Sequence, residues 1–273
     1  MRTENTLYTA EVRARTSVTP NMLRITLGAA RTADGGAFAS SGRADEFFGL
    51  RVPGTDGVDV QRYYSVRAWR EDADEIDVDF VVHAHGPATS WARTATPGDR
   101  VSFDAPRGHY APPPPTRRVV LVGDATALPA IGRILDERTS ADPPVHAILS
   151  VDDPRDRQRL AFRDGDTERW VAATALLSEI AVATEDDTDG CYVWFSGEAT
   201  TMRDVRRYLR HARGWPRERY TTMGYWRRDT ERWEAAFSRQ PDLEDRMAEI
   251  WASDEDDETQ RDRIDELLMG HGL

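Results

Sequence analysis

The chain has 273 residues, 39% hydrophobic and 31% charged, a balance suited to a soluble globular protein of about two domains. Its formal charge of −12 argues against general binding to nucleic acid, and no apolar run approaches the ~20 residues of a membrane span. A single cysteine, Cys191, excludes an internal disulfide and a cysteine-ligated iron–sulfur cluster, and the absence of lysine excludes Walker-lysine and Schiff-base chemistry.

In chain order, Met1-Arg2-Thr3-Glu4-Asn5 opens polar rather than basic and then apolar, which predicts no secretory leader and a cytoplasmic protein. Short period-two segments follow at 7–16, 23–27, 47–52, 62–67, 76–83 and 100–103, separated by turn clusters such as Pro53-Gly54-Thr55-Asp56-Gly57 and Pro97-Gly98-Asp99. Ile76-Asp77-Val78-Asp79-Phe80 alternates as a half-buried strand should. Six such strands predict a small antiparallel barrel or sandwich.

Two motifs in this half carry chemistry. In Arg62-Tyr63-Tyr64-Ser65-Val66-Arg67, a strand puts Arg62 and Tyr64 on one face. A guanidinium can then hold a phosphate while a ring lies against a flat ligand, with Ser65 offering a donor to a ring nitrogen. The same residues also suit an ordinary strand with surface arginines and a core tyrosine. In His83-Ala84-His85-Gly86-Pro87-Ala88-Thr89-Ser90-Trp91, Gly86 and Pro87 fit the start of a helix. The amides of Ala88, Thr89 and Ser90 would face either an anion or plain solvent. The two histidines lack partners at metal-ligand spacing, so no metal site is expected.

Four prolines, Pro112 to Pro115, predict a stiff connector and divide the chain. We expect domains at 1–111 and 117–228, a linker at 112–116, and a helical extension at 229–273. After the linker, the runs at 119–122, 145–151 and 192–195 read as strands buried on both faces. Leu128, Ile131 and Leu135 between the first two, then Met202, Val205 and Leu209 after the last, mark helices, so the alternation predicts a parallel α/β sheet. Gly123-Asp124-Ala125-Thr126 follows the first of these strands and can receive a dinucleotide phosphate, although GxGxxG is absent. Gly197 and Glu198 end another strand, and Gly224-Tyr225-Trp226-Arg227 sets two aromatics beside a cation. Helices close the chain, with Trp233, Phe237, Met247, Ile250 and Trp251 as packing residues and nine carboxylates within 242–258 forming a solvated face.

A barrel followed by a nucleotide-type sheet is the layout of ferredoxin-reductase-like flavoproteins. The motifs in their order resemble the siderophore-interacting protein family, flavin-dependent reductases of ferric siderophores. The pieces are Arg62-x-Tyr64-Ser65-Val66-Arg67, the turn Gly86-Pro87-Ala88-Thr89-x-Trp91, Gly123-Asp124-x-Thr126-Ala127-Leu128-Pro129, Gly197-Glu198 and Gly224-Tyr225-Trp226-Arg227. Ala125 departs from the family, which usually carries glutamate there.

The resemblance implies a six-stranded antiparallel Greek-key barrel holding FAD through Arg62, Tyr64, Ser65, Arg67, His83, Gly86, Ala88, Thr89, Ser90 and Trp91. It implies a second domain receiving NADH or NADPH near Gly123, Asp124, Thr126, Gly197, Glu198, Tyr225 and Trp226, with ferredoxin as another donor. An anionic ferric siderophore would be the substrate, held by Arg133, Arg227 and Arg51. No catalytic side chain is expected, because outer-sphere electron transfer needs no acid or base, and the sequence leaves the oligomeric state open. Another NAD(P)H flavin reductase of this architecture and a non-catalytic siderophore-binding protein share the same motifs.

Overall fold

Val12, Ile25, Leu27, Phe48, Leu50, Val66, Val78 and Phe103 are β-branched, aliphatic or aromatic residues, most of them at alternating positions, and all point into one barrel core. The computed structural model describes residues 6–54, 59–83, 86–186 and 190–273. The opening five residues, the Thr55-Asp56-Gly57 part of the turn and the pair Ala84-His85 lie outside the described residues.

Six antiparallel strands close the barrel: β1 (Leu7–Thr19), β2 (Met22–Thr32), β3 (Phe47–Pro53), β4 (Asp59–Arg70), β5 (Glu75–Val81) and β6 (Arg100–Asp104). Their order around it is β1-β2-β5-β4-β3-β6, and closure removes the exposed edges of an open sheet. Helix α1 (Pro87–Thr94) follows β5 and buries Ala88, Thr89 and Ala92. One expectation needs correcting. β5 is buried on both faces, because Asp79 takes two bonds from Arg24 and Asp77 takes bonds from Thr26 and Arg70. Paired carboxylates enter a core that bare ones could not.

The second half is a five-stranded parallel sheet in the order β11-β10-β7-β8-β9. Its elements are β7 (Arg118–Gly123), α2 (Leu128–Glu137), β8 (Val145–Leu149), β9 (Thr167–Trp170), α3 (Leu176–Thr184), β10 (Cys191–Glu198), α4 (Ala199–Arg207) and β11 (Tyr220–Trp226). Leu121 and Trp194 pack under α2, whereas Val122 and Phe195 pack under α3 and α4. Both faces are therefore covered, as a parallel sheet requires.

Two buried acids on the segment before β3 join the halves. Asp45 accepts bonds from the amides of His109 and Tyr110 and from Trp194 Nε1 at 2.9 Å. Glu46 accepts from Ser40, Ser41 and Arg133 on α2. Across the opposite end, Asp156 accepts from Thr19 Oγ1, Asn21 N and Asn21 Nδ2.

Helices α5 (Thr230–Phe237), α6 (Leu243–Trp251) and α7 (Asp257–Gly270) end the chain with a small core of their own. Trp233 stacks on Phe237, and Ile250 is buried, but Trp251 is 48% exposed and is not a packing residue. The acidic run is only partly solvated. Asp256 caps α7, while Glu258 is buried against Arg206, Arg217 and Arg261 and accepts from the Tyr220 hydroxyl.

Candidate active site

β4 pairs with β3 without a register shift, placing Tyr64 opposite Phe48 and Arg62 opposite Leu50. Phe48 and Leu50 point into the barrel, so Arg62 and Tyr64 share that face and emerge at its mouth. Tyr64 lies 4.2 Å, centroid to centroid, from Phe80, whose other side meets Trp91 of α1 at 5.5 Å. Burial pushes the Tyr64 phenol well above its usual range, outweighing the nearby Arg62 charge, so the ring stays neutral. Arg62 is exposed, donates to Gln61 O, and among the described residues pairs with no carboxylate.

The start of α1 completes this cradle. Gly86 precedes it at φ +124°, where other residues are strained, and no side chain caps the helix. The described structure leaves open space beside Gly86. The amides of Ala88 and Thr89 are donors of the kind anions occupy, with the helix dipole adding to the attraction. Thr89 Oγ1 accepts from the His83 amide at 3.4 Å, and the Ser90 amide, expected among the free donors, is instead bonded to Gly86 O at 3.0 Å as the first helical bond, leaving Ala88 and Thr89.

Two residues of the same motif face the other way. Ser65 Oγ meets Tyr225 Oη at 3.3 Å, and Arg67 pairs with Asp136 of α2 at 2.7 Å. Both join the barrel to the second half. In this structure Arg67 is thus paired with Asp136 and the Ser65 hydroxyl with Tyr225.

A cleft of about 430 Å³ runs between the halves, lined by Thr19, Asn21, Val82 and His83 on one side and Asp124, Thr126, Ser150, Glu198 and Trp226 among others opposite. It opens at the carboxyl ends of β7, β8, β10 and β11, where open parallel sheets bind their ligands. Gly123 ends β7, and any side chain there would press on the Ala127 Cβ and lie 2.7 Å from Ser196 O. Asp124 next to it accepts from Thr126 N, Thr126 Oγ1, Glu198 N and Trp226 Nε1, the last at 2.7 Å. Burial pushes its carboxyl upward, and these bonds only partly offset that. Gly197 packs against the same carboxylate.

Glu198 caps α4 by accepting from Thr200 N and Thr201 N, so that helix start is filled. The start of α2 has no side-chain cap, but Ala127, Leu128 and Ala130 are fully buried and Pro129 carries no amide hydrogen, so it offers the cleft no donor.

The three arginines expected to hold a substrate are not brought together. Arg133 is buried, its guanidinium 2.7 Å from Glu46 and also paired with Glu137. Arg51 lies opposite Gln61, on the face of β3 away from Arg62 and Tyr64. Arg227 lies 4.3 Å over the Trp233 ring, and burial, with Arg203 nearby, lowers its pKa. Its neighbour Arg228 reaches the cleft instead. Sequence reasoning also missed Thr19 at the end of β1, Asn21 in the turn after it and Asp156 in a one-turn 3-10 helix, none of which carries a motif. Among the described residues no group of His, Cys, Asp or Glu could hold a metal, and no helix is long and apolar enough to cross a membrane.

Two family models match the chain. Residues 43–110 match the siderophore-interacting FAD-binding domain, and residues 116–229 match the siderophore-interacting protein model. The chain is similar to the NADPH-dependent ferric-chelate reductase of Escherichia coli K12, 28% identical over 159 residues, covering 56% of this chain and 61% of the relative. It is 28% identical over 223 residues to the mycobactin import ATP-binding/permease protein IrtA of Mycolicibacterium smegmatis, covering 80% of this chain but 26% of that larger protein. The crystal structure of a siderophore utilization protein from T. fusca superposes with a TM-score of 0.69 at 29% identity, covering 82% of this chain and 93% of the other.

Proposed function

The chain belongs to the siderophore-interacting protein family, and on that premise we propose that it is an FAD-dependent reductase of ferric siderophores, releasing Fe(II) in the cytoplasm. The observation that carries this reading is the cradle at the barrel mouth: a guanidinium with no carboxylate partner among the described residues, a neutral aromatic face and an uncapped helix start, all beside a cleft at the carboxyl ends of a parallel sheet.

The residues present fit FAD. Arg62 and the amides of Ala88 and Thr89 would hold its diphosphate, and Tyr64, backed by Phe80 and Trp91, would offer the flat contact for its ring system. When bound, the flavin supplies the link between a two-electron donor and a one-electron acceptor. Ser65 and Tyr225 hold the barrel mouth against the sheet, and the cleft at the carboxyl ends of its strands, beside Thr126, would receive a nicotinamide dinucleotide. Each NADH or NADPH provides two electrons, enough to convert two Fe(III) to Fe(II), and ferredoxin could supply them singly. We assign FAD to residues 1–111, the donor to 117–228, the connector to 112–116 and an accessory helical segment to 229–273.

The test is direct. Purified protein should bind FAD and show flavin absorbance that bleaches anaerobically with NADH or NADPH, and a ferrous trap should then colour when ferric siderophore is added. Replacing Arg62 and Tyr64 together with alanine should weaken FAD binding by on the order of a hundredfold or more, from the loss of a charge-assisted bond and a ring contact. Full retention of flavin by that variant would overturn the cradle. A protein that bleaches but yields no Fe(II) would be a flavin reductase serving another acceptor.

A further inference from the structure

We propose that the electron donor is NADH rather than NADPH, and that Asp152 makes the choice by accepting from the 2′-hydroxyl of the adenosine ribose. The inference rests on the reductase reading and narrows the donor of that same site.

The sheet order sets which end of the dinucleotide lies where. Its nicotinamide must reach the flavin ring, which the cradle puts against Tyr64. The neighbouring Ser65 meets Tyr225 of β11, so the barrel mouth adjoins the β11 side of the sheet. The strands lie in the order β11-β10-β7-β8-β9. A dinucleotide with its nicotinamide at β11 therefore leads its diphosphate past β7 and its adenosine to the ends of β8 and β9. Ser150, Val151 and Asp152 follow β8 there, Ala173 and Thr174 come after β9, and all five line the cleft.

Four acids line that cleft, and three of them are engaged by the protein itself. Asp124 holds Thr126 and Trp226, Asp156 holds Thr19 and Asn21, and Glu198 caps α4. Asp152 differs: it is exposed and, among the described residues, has no hydrogen-bond or ion-pair partner. A free carboxylate past the second strand of such a sheet accepts from a ribose hydroxyl and repels a phosphate in its place.

Among the described residues, no arginine lines this end of the cleft. Arg228, the arginine that does line it, follows β11, three strand intervals or about 14 Å from β8. The arginines nearest Asp152 in sequence are held elsewhere. Arg155 is bonded to Asp153 through Nε and Nη2, and Arg157 lies 5.6 Å over the Trp170 ring. The chain has no lysine to replace them. A 2′-phosphate would meet a bare carboxylate with no cation to offset it.

ADP-ribose and 2′-phospho-ADP-ribose carry the two kinds of adenosine end without a nicotinamide, so they report the choice without hydride transfer. Calorimetry on the FAD-loaded protein should show ADP-ribose binding at least about tenfold more tightly, as one charge-assisted bond allows. Asp152→Asn, at an exposed position, should cut that preference several-fold, and Asp152→Arg should reverse it. Anaerobic flavin bleaching should be faster with NADH than with NADPH at equal concentration. Equal affinities, tighter binding of the phosphorylated compound, a preference unchanged in Asp152→Asn, or binding of neither would overturn the assignment. A protein that shows the preference yet releases no Fe(II) from a ferric siderophore would sink the reductase reading alone.

Discussion

Arg133 illustrates how a motif residue can belong to packing rather than to ligand. Its side chain is 6% exposed and Glu46 is fully buried, so the pair satisfies itself and ties α2 to the barrel. Replacing Glu46 with alanine leaves the buried guanidinium only the part-exposed Glu137 and should cost about 3 kcal/mol, read as a lower denaturation midpoint. Arg133→Met together with Glu46→Leu should recover much of that loss, since an apolar pair of similar volume is tolerated there. Gly123 gives a second residue-scale expectation. Gly123→Ala forces a methyl toward Ala127 and the Ser196 carbonyl, and should destabilise by about 1–3 kcal/mol. Arg62, Tyr64 and Thr89 were legible because strand alternation and a Gly-Pro helix start place them by local rules alone. The fates of Arg51, Arg133 and Arg227 were not, since each depends on what another element brings opposite: Gln61, Glu46 and Trp233 respectively.

At the scale of elements, the six barrel strands and the buried strands β7, β8 and β10 follow from period and apolar run length. β9 left no such mark. It is an edge strand of four residues, three of them exposed, and pairing with β8 rather than burial of its own side chains defines it. α3 carries apolar residues around more than one face, Val182 being 64% exposed, so no single stripe announces it. The join between α2 and β8 has a pH signature. Asp166 accepts from Arg138 at the end of α2 and from the amides of Val145 and Arg163. Burial raises its carboxyl, but these bonds prevail and hold it at about 2. A folded-state value below the unfolded one means that ionisation stabilises the fold. That stability is complete above the unfolded value of about 4 and fades as pH falls toward 2. Acid unfolding followed by circular dichroism should show this loss in the wild type, and Asp166→Asn should be less stable at pH 7 with a flatter profile over that window.

The whole molecule is held as one by polar bridges between its halves: Asp45 to Trp194, Asp156 to Asn21, and Ser65 to Tyr225. Because Asp156 lies at the cleft, Asp156→Ala should both lower stability, by about 1–3 kcal/mol for its orphaned partners, and loosen the cleft, seen as faster amide exchange at Asn21. The terminal helices are anchored similarly, with Arg206 reaching Glu258, Asp262 and Asp265. Cys191 adds a practical handle. It begins β10 in the middle of the sheet and is 2% exposed, and the chain has no second thiol. An alkylating dye therefore has one place to react, and reaches it only when the sheet's interior breathes. Its labelling rate becomes a stopwatch for that motion, and slower labelling on addition of a nicotinamide dinucleotide would report its docking with no optical signal from the flavin.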